Sequence, residues 1–188
     1  MKKYNEFVAE KNYNKYKSNK YDDEVKSAVY DYVSGLTSSV NDDLRKGKKV
    51  PSITNVLDKA FAERKKLDVY RTVDWSYMEN VYGITEENIK DKIGSEITNK
   101  GYMSTSSIME SPWGSKWSEN ELVVHIVSDK EYPCADINKM FDADEIDCEE
   151  QMEILVPRNT TIRLVDAEKK FGGKFCENGN WFIEAKIV

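Results

Sequence analysis

LDVYRTVD, residues 67–74, is the stretch on which the architecture turns. It reads as a strand with an arginine set among apolar residues, and the chain changes character around it. Before it the periodic signals are helical. In residues 24–34 the apolar positions Val25, Ala28, Val29, Tyr32 and Val33 follow the i, i+3, i+4, i+7, i+8 spacing of one helix face. Residues 52–64 repeat the pattern with Ile53, Val56, Leu57, Ala60 and Phe61, and Ser52 stands where an N-cap would, just after Pro51. A shorter helix over 38–46 is expected to end at Gly47, and residues 4–13 read as helical with Tyr4, Phe7 and Val8 on one face. After the strand comes a helical insert in two pieces, 75–81 and 85–93, the second opened by Thr85 with Glu86 and Glu87 in its first turn. Strand signals then dominate, at 97–107, 121–128, 151–157 and 161–167, and Asn178-Gly179 predicts a hairpin joining 173–176 to 181–187. Helices first and hairpin-linked strands after them give an α+β fold with antiparallel sheet.

The 188 residues make one domain, 1–188, mainly helical over 1–66 and mainly β over 67–188. Lys plus Arg is 28 and Asp plus Glu is 34, a net charge of −6, which argues against a general nucleic-acid binder. No apolar run approaches the ~18 residues of a membrane span. The start, MKKYNEFVAE, has no apolar stretch behind its lysines, so a cytoplasmic protein is expected, or one delivered into a target cell without a cleavable signal. Cys134, Cys148 and Cys176 are too few, too widely spaced and odd in number for a disulfide framework or a zinc site. The single histidine, His125 in LVVHIV, reads as a half-buried strand residue, and no metal is expected.

Three segments carry chemistry. Arg71 places a charge inside an apolar strand, where a diphosphate is a partner that suits its fork and half of a salt bridge is the ordinary alternative. GYMSTSS, from Gly101, sets hydroxyls in a row at a strand end, able to bond a sugar or orient a carboxylate, although such runs are commonly turns. In EEQMEILV, Gln151 and Glu153 share one face while Met152 points the other way. A carboxyl leading into ILVP is partly desolvated, as a working acid would be, although a glutamate at a strand start is ordinarily exposed. The acidic run 142–150 leads directly into that strand, and the lysine-rich first twenty residues read most simply as a solvated surface.

Taken together, Arg71, then Ser104-Thr105-Ser106, then Gln151-x-Glu153 resemble the arginine–serine–glutamate class of mono-ADP-ribosyltransferases. The likeness is to bacterial and phage members, including the clostridial Rho-modifying exoenzymes, and covers about residues 25–188. YDYVSGLTSSVNDDLRKG (30–47) is similar to that family's first segment through Tyr32, Asn41, Leu44-Arg45 and Gly47. EEQMEILVPRNTTIRLVD is similar to its glutamate strand and the turn that follows. The resemblance implies two packed antiparallel sheets around an NAD cleft, with helices beside them and NAD as co-substrate without a metal. It implies that Arg71 holds the NAD phosphates with Thr72 near the nicotinamide. Tyr32, Asn41 and Arg45 would contact NAD from the helical side. Ser104 would orient Glu153, with Gly101, Thr105 and Ser106 shaping the nicotinamide pocket and Trp117 as its aromatic wall. Glu153 would stabilise the ribose as the glycosidic bond breaks, and Gln151 would position the acceptor.

Two departures stand out. Cys148 occupies the place, three before Gln151, where the family often has an aromatic, and the segment SPWGSKWSENE offers Trp113, Lys116 and Trp117 where many members have an aromatic and an arginine. By analogy, Gln rather than Glu at 151 points to a protein acceptor other than arginine. An acceptor in DNA or RNA is the alternative, which the acidic run disfavours, and a catalytically idle binding or structural module is the third reading. A toxin or phage-encoded modifier of this kind leaves room for an antitoxin or immunity partner.

Overall fold

The computed structural model describes residues 21–37, 39–109, 116–141 and 152–188. The segment 4–13, Trp113, Cys148 and Gln151 therefore lie outside the described residues.

Helix α1 spans Asp23–Val33 and buries Val25 and Val29. Its N-cap is Asp22, whose side chain accepts a hydrogen bond from the Val25 amide. Helix α2 spans Ser39–Arg45, and the chain reverses after it at Gly47, whose φ of +76° suits glycine. Helix α3 spans Pro51–Leu57, with a 3₁₀ turn over Asp58–Ala60. It is shorter than the 52–64 its periodicity predicts, and Val50 rather than Ser52 holds the cap position. The reason is tertiary. Glu63–Lys65 is drawn out as an edge strand, β1, paired antiparallel with β6, Tyr132–Asp136. The sequence YPCAD is short and contains a proline, which hides β6 from pattern reading.

Strand β2 is Asp68–Asp74, and Asp74 caps α4, Trp75–Tyr82, which closes at Gly83 with a left-handed φ of +66°. Only a 3₁₀ turn at Ile89–Lys92 forms where a second helix is expected over 85–93. There the Asn88 side chain accepts from the Thr85 amide and donates to the Gly83 carbonyl, and this local bonding competes with a helical turn. The segment 97–107 divides into β3, Glu96–Asn99, and β4, Met103–Ser106, which pair with different partners. Strands β5 (Glu121–Val127), β7 (Glu153–Val156), β8 (Thr160–Lys170) and β9 (Asn180–Ile187) complete the sheet, with the short helix α5, Ile137–Met140, after β6. The final hairpin joins β8 to β9, and residues 173–176 are connection rather than strand. Gly179 makes its last turn, with φ +75° and its amide donating to the Cys176 carbonyl.

The strand order is β1-β6-β7-β4-β2-β5-β9-β8-β3. All neighbours are antiparallel except β5 and β9, which run parallel. The order has one weak joint. Strands β2 and β4 are bridged at a single pair, Tyr70 opposite Ser106, so the sheet divides into a four-strand and a five-strand half. The halves pack face to face. Val69, Val73, Val124 and Ile183 of the five-strand half meet Met103, Ile154 and Val156 of the other in one buried cluster. The helices cover the outer face of the four-strand half through Val29, Val40, Leu57, Tyr102 and Leu155. No helix among the described residues is long and apolar enough to cross a membrane.

Candidate active site

The site forms where the sheet comes apart. If the β2–β4 register continued past Tyr70 and Ser106, Thr72 would stand opposite Ser104. No such pair forms, and the Arg71 guanidinium instead donates across the gap to the Ser104 carbonyl at 3.1 Å. Side chains alternate along each strand, so Ser104 and Ser106 share a face with their partners Leu155 and Glu153, towards the helices. Met103, Thr105, Ile154 and Val156 face the inter-sheet core.

Glu153 is 7% exposed, an unusual burial for a carboxylate. Burial raises its pKa above the ordinary value, while a hydrogen bond from Ser104 and the charge of Arg71 draw it back down. A carboxylate held in that balance, beside an arginine and at a sheet split, is poised to stabilise positive charge developing on a bound molecule.

The helical side supplies the rest. The Asn41 amide nitrogen donates to the Tyr32 hydroxyl at 2.7 Å and to the Tyr102 carbonyl at 3.2 Å, and its oxygen accepts from the Tyr102 amide at 2.8 Å. This leaves no amide hydrogen of Asn41 for the direct NAD contact expected of it. It also explains Gly101, since a Cβ there would lie 2.5 Å from the Asn41 oxygen.

Arg45 donates to Asp42 at 3.2 Å and to the Tyr77 hydroxyl at 3.3 Å. The Tyr77 ring lies 5.0 Å from the Arg45 guanidinium and 5.2 Å from that of Arg71, so one aromatic holds both cations in place. The Nε of each arginine is buried without an acceptor among the described residues. A buried donor left unmade costs about 1–3 kcal/mol, and two of them on neighbouring guanidiniums fit a dianionic diphosphate. Beside them opens a groove of about 530 Å³ lined by Arg45, Tyr77, Asn80, Thr98 and Lys100 among others. That volume suits a nucleotide-sized ligand.

The remaining expected residues separate. Thr105 is buried and its hydroxyl donates to the Ile154 carbonyl at 2.6 Å, so it ties the strands together rather than facing the cleft. Ser106 accepts from the Ile108 amide at 3.1 Å. Trp117 is 2% exposed and donates to the Thr72 hydroxyl at 3.0 Å, stacked 5.0 Å from Phe175. Thr72 lies on the face of β2 opposite Arg71, so Trp117 is a packing residue on the outer face and not an aromatic wall of the cleft. His125 shares that outer face, stacked 4.6 Å from Tyr70 and 2.8 Å from Asp68. Among the described residues no cluster of His, Cys, Asp and Glu could hold a metal ion. Sequence reading missed Tyr77, Tyr82 and Asn99, which share hydroxyl and amide contacts at 3.5 Å. Their pattern, WSYMENVY, signals only an amphipathic helix.

No curated protein sequence matches the chain. Among solved structures, it is similar to the ADP-ribosyltransferase toxin Plx2a of Paenibacillus larvae at 18% identity, with a TM-score of 0.67 over 97% of this chain and 94% of that one. It is likewise similar to the Clostridium limosum C3 exoenzyme at 18% identity, TM-score 0.66, over 95% and 90%. C3stau2 from S. aureus, solved with NAD, gives 17% identity and TM-score 0.66 over 89% and 88%. These likenesses show a shared fold. A family model described as ADP-ribosyltransferase exoenzyme matches residues 5–182, nearly the whole chain. The chain belongs to the ADP-ribosyltransferase exoenzyme family and is an NAD-dependent ADP-ribosyltransferase.

Proposed function

We propose that this enzyme transfers ADP-ribose from NAD to a side chain other than arginine on a target protein, in the manner of a toxin. The observation that carries the reading is the convergence of Arg71, Ser104 and Glu153 at the sheet split, with Arg45 and Arg71 each presenting an unmet donor. The two arginines bind the diphosphate. Glu153 faces the nicotinamide ribose, where the bond from the anomeric carbon to the nicotinamide nitrogen breaks and its electron pair leaves with neutral nicotinamide. The acceptor nucleophile then bonds that carbon and gives up its proton. A fixed carboxylate stabilises the positive ribose most at the point of bond breaking, which raises turnover rather than ground-state affinity.

Gln151 stands two residues before Glu153, where a second carboxylate would attract a guanidinium acceptor. An amide there supports a neutral nucleophile, and the toxins that share the fold support a proteinaceous target inside a cell. The test is incubation with NAD labelled on its adenylate half and a eukaryotic or bacterial lysate. Protease-sensitive label on a residue other than arginine, located by mass spectrometry, is expected. Nuclease-sensitive label, or label on arginine, would overturn the target assignment.

A further inference from the structure

Two like charges are drawn together beside the sheet split. Arg45 comes from α2 and Arg71 from β2, and both approach one ring, Tyr77 of α4, at 5.0 and 5.2 Å. The two guanidiniums therefore stand no more than about 10 Å apart. Like charges this close repel, and partial burial screens them less than bulk water does. Asp42 pairs with Arg45 at 3.2 Å, but among the described residues no carboxylate lies within ion-pair distance of Arg71. The face of an aromatic ring offsets the repulsion, because its quadrupole attracts both cations at once. The Tyr77 hydroxyl adds a second hold on one of them, accepting from Arg45 Nη2 at 3.3 Å. Tyr77 is itself fixed. Its amide donates to Asp74, the N-cap of α4, at 2.7 Å. Its ring meets that of Tyr82 edge-on at 5.8 Å, and its hydroxyl lies 3.5 Å from the Tyr82 hydroxyl and from the side-chain oxygen of Asn99 on β3.

We propose that Tyr77 is a positioning residue for NAD, holding Arg45 and Arg71 at a set spacing before the dinucleotide arrives, so that its diphosphate meets two aimed guanidiniums at once. This rests on the reading above that these two arginines bind the diphosphate, and it gives the pair a common support that acts through them. Arginine side chains lose much rotamer freedom when they are fixed on a ligand. A ring that orders both beforehand moves that cost from the binding step to the folding of the protein. The gain is the same in the ground state and the transition state, since the diphosphate stays bound while the glycosidic bond breaks. It therefore falls on KM for NAD and leaves kcat alone. Arg71 and Tyr77 are neighbours along the chain, whereas Arg45 comes from the helical layer, so the ring is also where that layer joins the sheet at the site.

The test measures nicotinamide release against NAD concentration. Tyr77→Leu should raise KM for NAD about tenfold with kcat within about twofold of wild type, as for loss of two cation–π contacts. Tyr77→Phe keeps the ring and should restore KM to within about threefold of wild type. Calorimetry with ADP-ribose, which carries the diphosphate without nicotinamide, should show the same order of affinities. Fluorinating the Tyr77→Phe ring once, twice and three times keeps its shape and weakens its negative face. KM should climb with each fluorine while the melting temperature stays level, which a packing role would not produce, and this series decides the matter even where Tyr77→Leu fails to fold. In an Arg71→Ala background Tyr77→Leu should cost less NAD affinity than in the wild type, because one of its two cations is gone. A KM indifferent to fluorination, an equal cost in both backgrounds, or a loss confined to kcat would overturn the proposal. Wild-type ADP-ribose affinity in both Arg45→Ala and Arg71→Ala would instead sink the diphosphate reading, and the role of Tyr77 with it.

Discussion

Two arginines in this molecule meet opposite environments. Arg158, in the turn after β7, donates to both oxygens of Asp58, from Nε at 3.1 and 3.2 Å and from Nη2 at 2.7 Å. Asp58 also takes the Tyr102 hydroxyl at 2.7 Å, and Tyr102 stacks on Phe61 at 5.7 Å. This region is closed, because its donors and acceptors answer one another within the chain. Arg71, in the middle of β2, has one acceptor among the described residues, the Ser104 carbonyl, and a buried Nε with none there. Arg45, on the same Tyr77 ring, repeats the shortage. A fold can satisfy a guanidinium with a carboxylate at hand, as it does at Arg158. Leaving two unsatisfied side by side marks a place kept for an anion from outside.

The comparison can be broken by substitution. The largest effect is expected at Glu153, the carboxylate on the open side. Glu153→Gln should lower nicotinamide release by on the order of 100-fold or more while NAD affinity, read by calorimetry, barely changes. The arginines come next and should part company. Arg71→Ala is expected to weaken NAD binding tenfold or more, as for loss of a charged hydrogen bond worth about 1.5–3 kcal/mol. Its melting temperature should stay near wild type. Arg158→Ala should do the reverse. Its pair with Asp58 is partly exposed, so about 1 kcal/mol is at stake, a fall in Tm of ~2–4 °C with NAD affinity intact. Equal loss of NAD affinity in both variants would erase the distinction between closed and open regions.

The smallest effect sharpens the contrast by its sign. Glu153 has a folded-state pKa raised by burial above the ordinary 4.5. Its contribution to stability is therefore fully present below the unfolded value and lost as pH rises through the folded one. At neutral pH the wild-type enzyme carries a destabilising buried charge. Glu153→Gln should raise Tm there, and the difference should close on acidification through the Glu153 pKa. Thermal melts across that window check it, and a lower Tm for the variant at neutral pH would show that the carboxylate is structural.

Local sequence read much of this well. The amphipathic spacing of Val25, Val29 and Val33 gave α1 almost to the residue, because a helix face is written in i, i+3 and i+4 contacts within one segment. The strand around Arg71 was legible for the same reason, as was the glutamate strand. Reading failed where a distant partner decided the outcome. Residues 63–65 left a helical pattern to pair with β6, and 97–107 broke in two because its halves answer to β8 and β7. The hairpin turn at Gly179 was placed correctly, but its first arm is β8 rather than 173–176.

The amino-acid sequence by itself determined the chemical inventory: an arginine in an apolar strand, a serine–threonine–serine run, a glutamate opening another strand, and an order and spacing that point to one enzyme class. Tertiary structure alone decided which members of that inventory meet. Alternation along β4 sends Ser104 towards Glu153 and Thr105 into the core, and the single bridge between Tyr70 and Ser106 opens the gap that Arg71 spans. Alternation along β2 turns Thr72 away to the outer face, where Trp117 bonds it, while α4, whose pattern foretold a helix but not its neighbours, brings Tyr77 between two arginines. Residue type and short-range spacing are carried by neighbours along the chain. Which face a side chain takes, and what stands opposite it, is set by pairing and layer packing between segments far apart in sequence, and no local pattern encodes that.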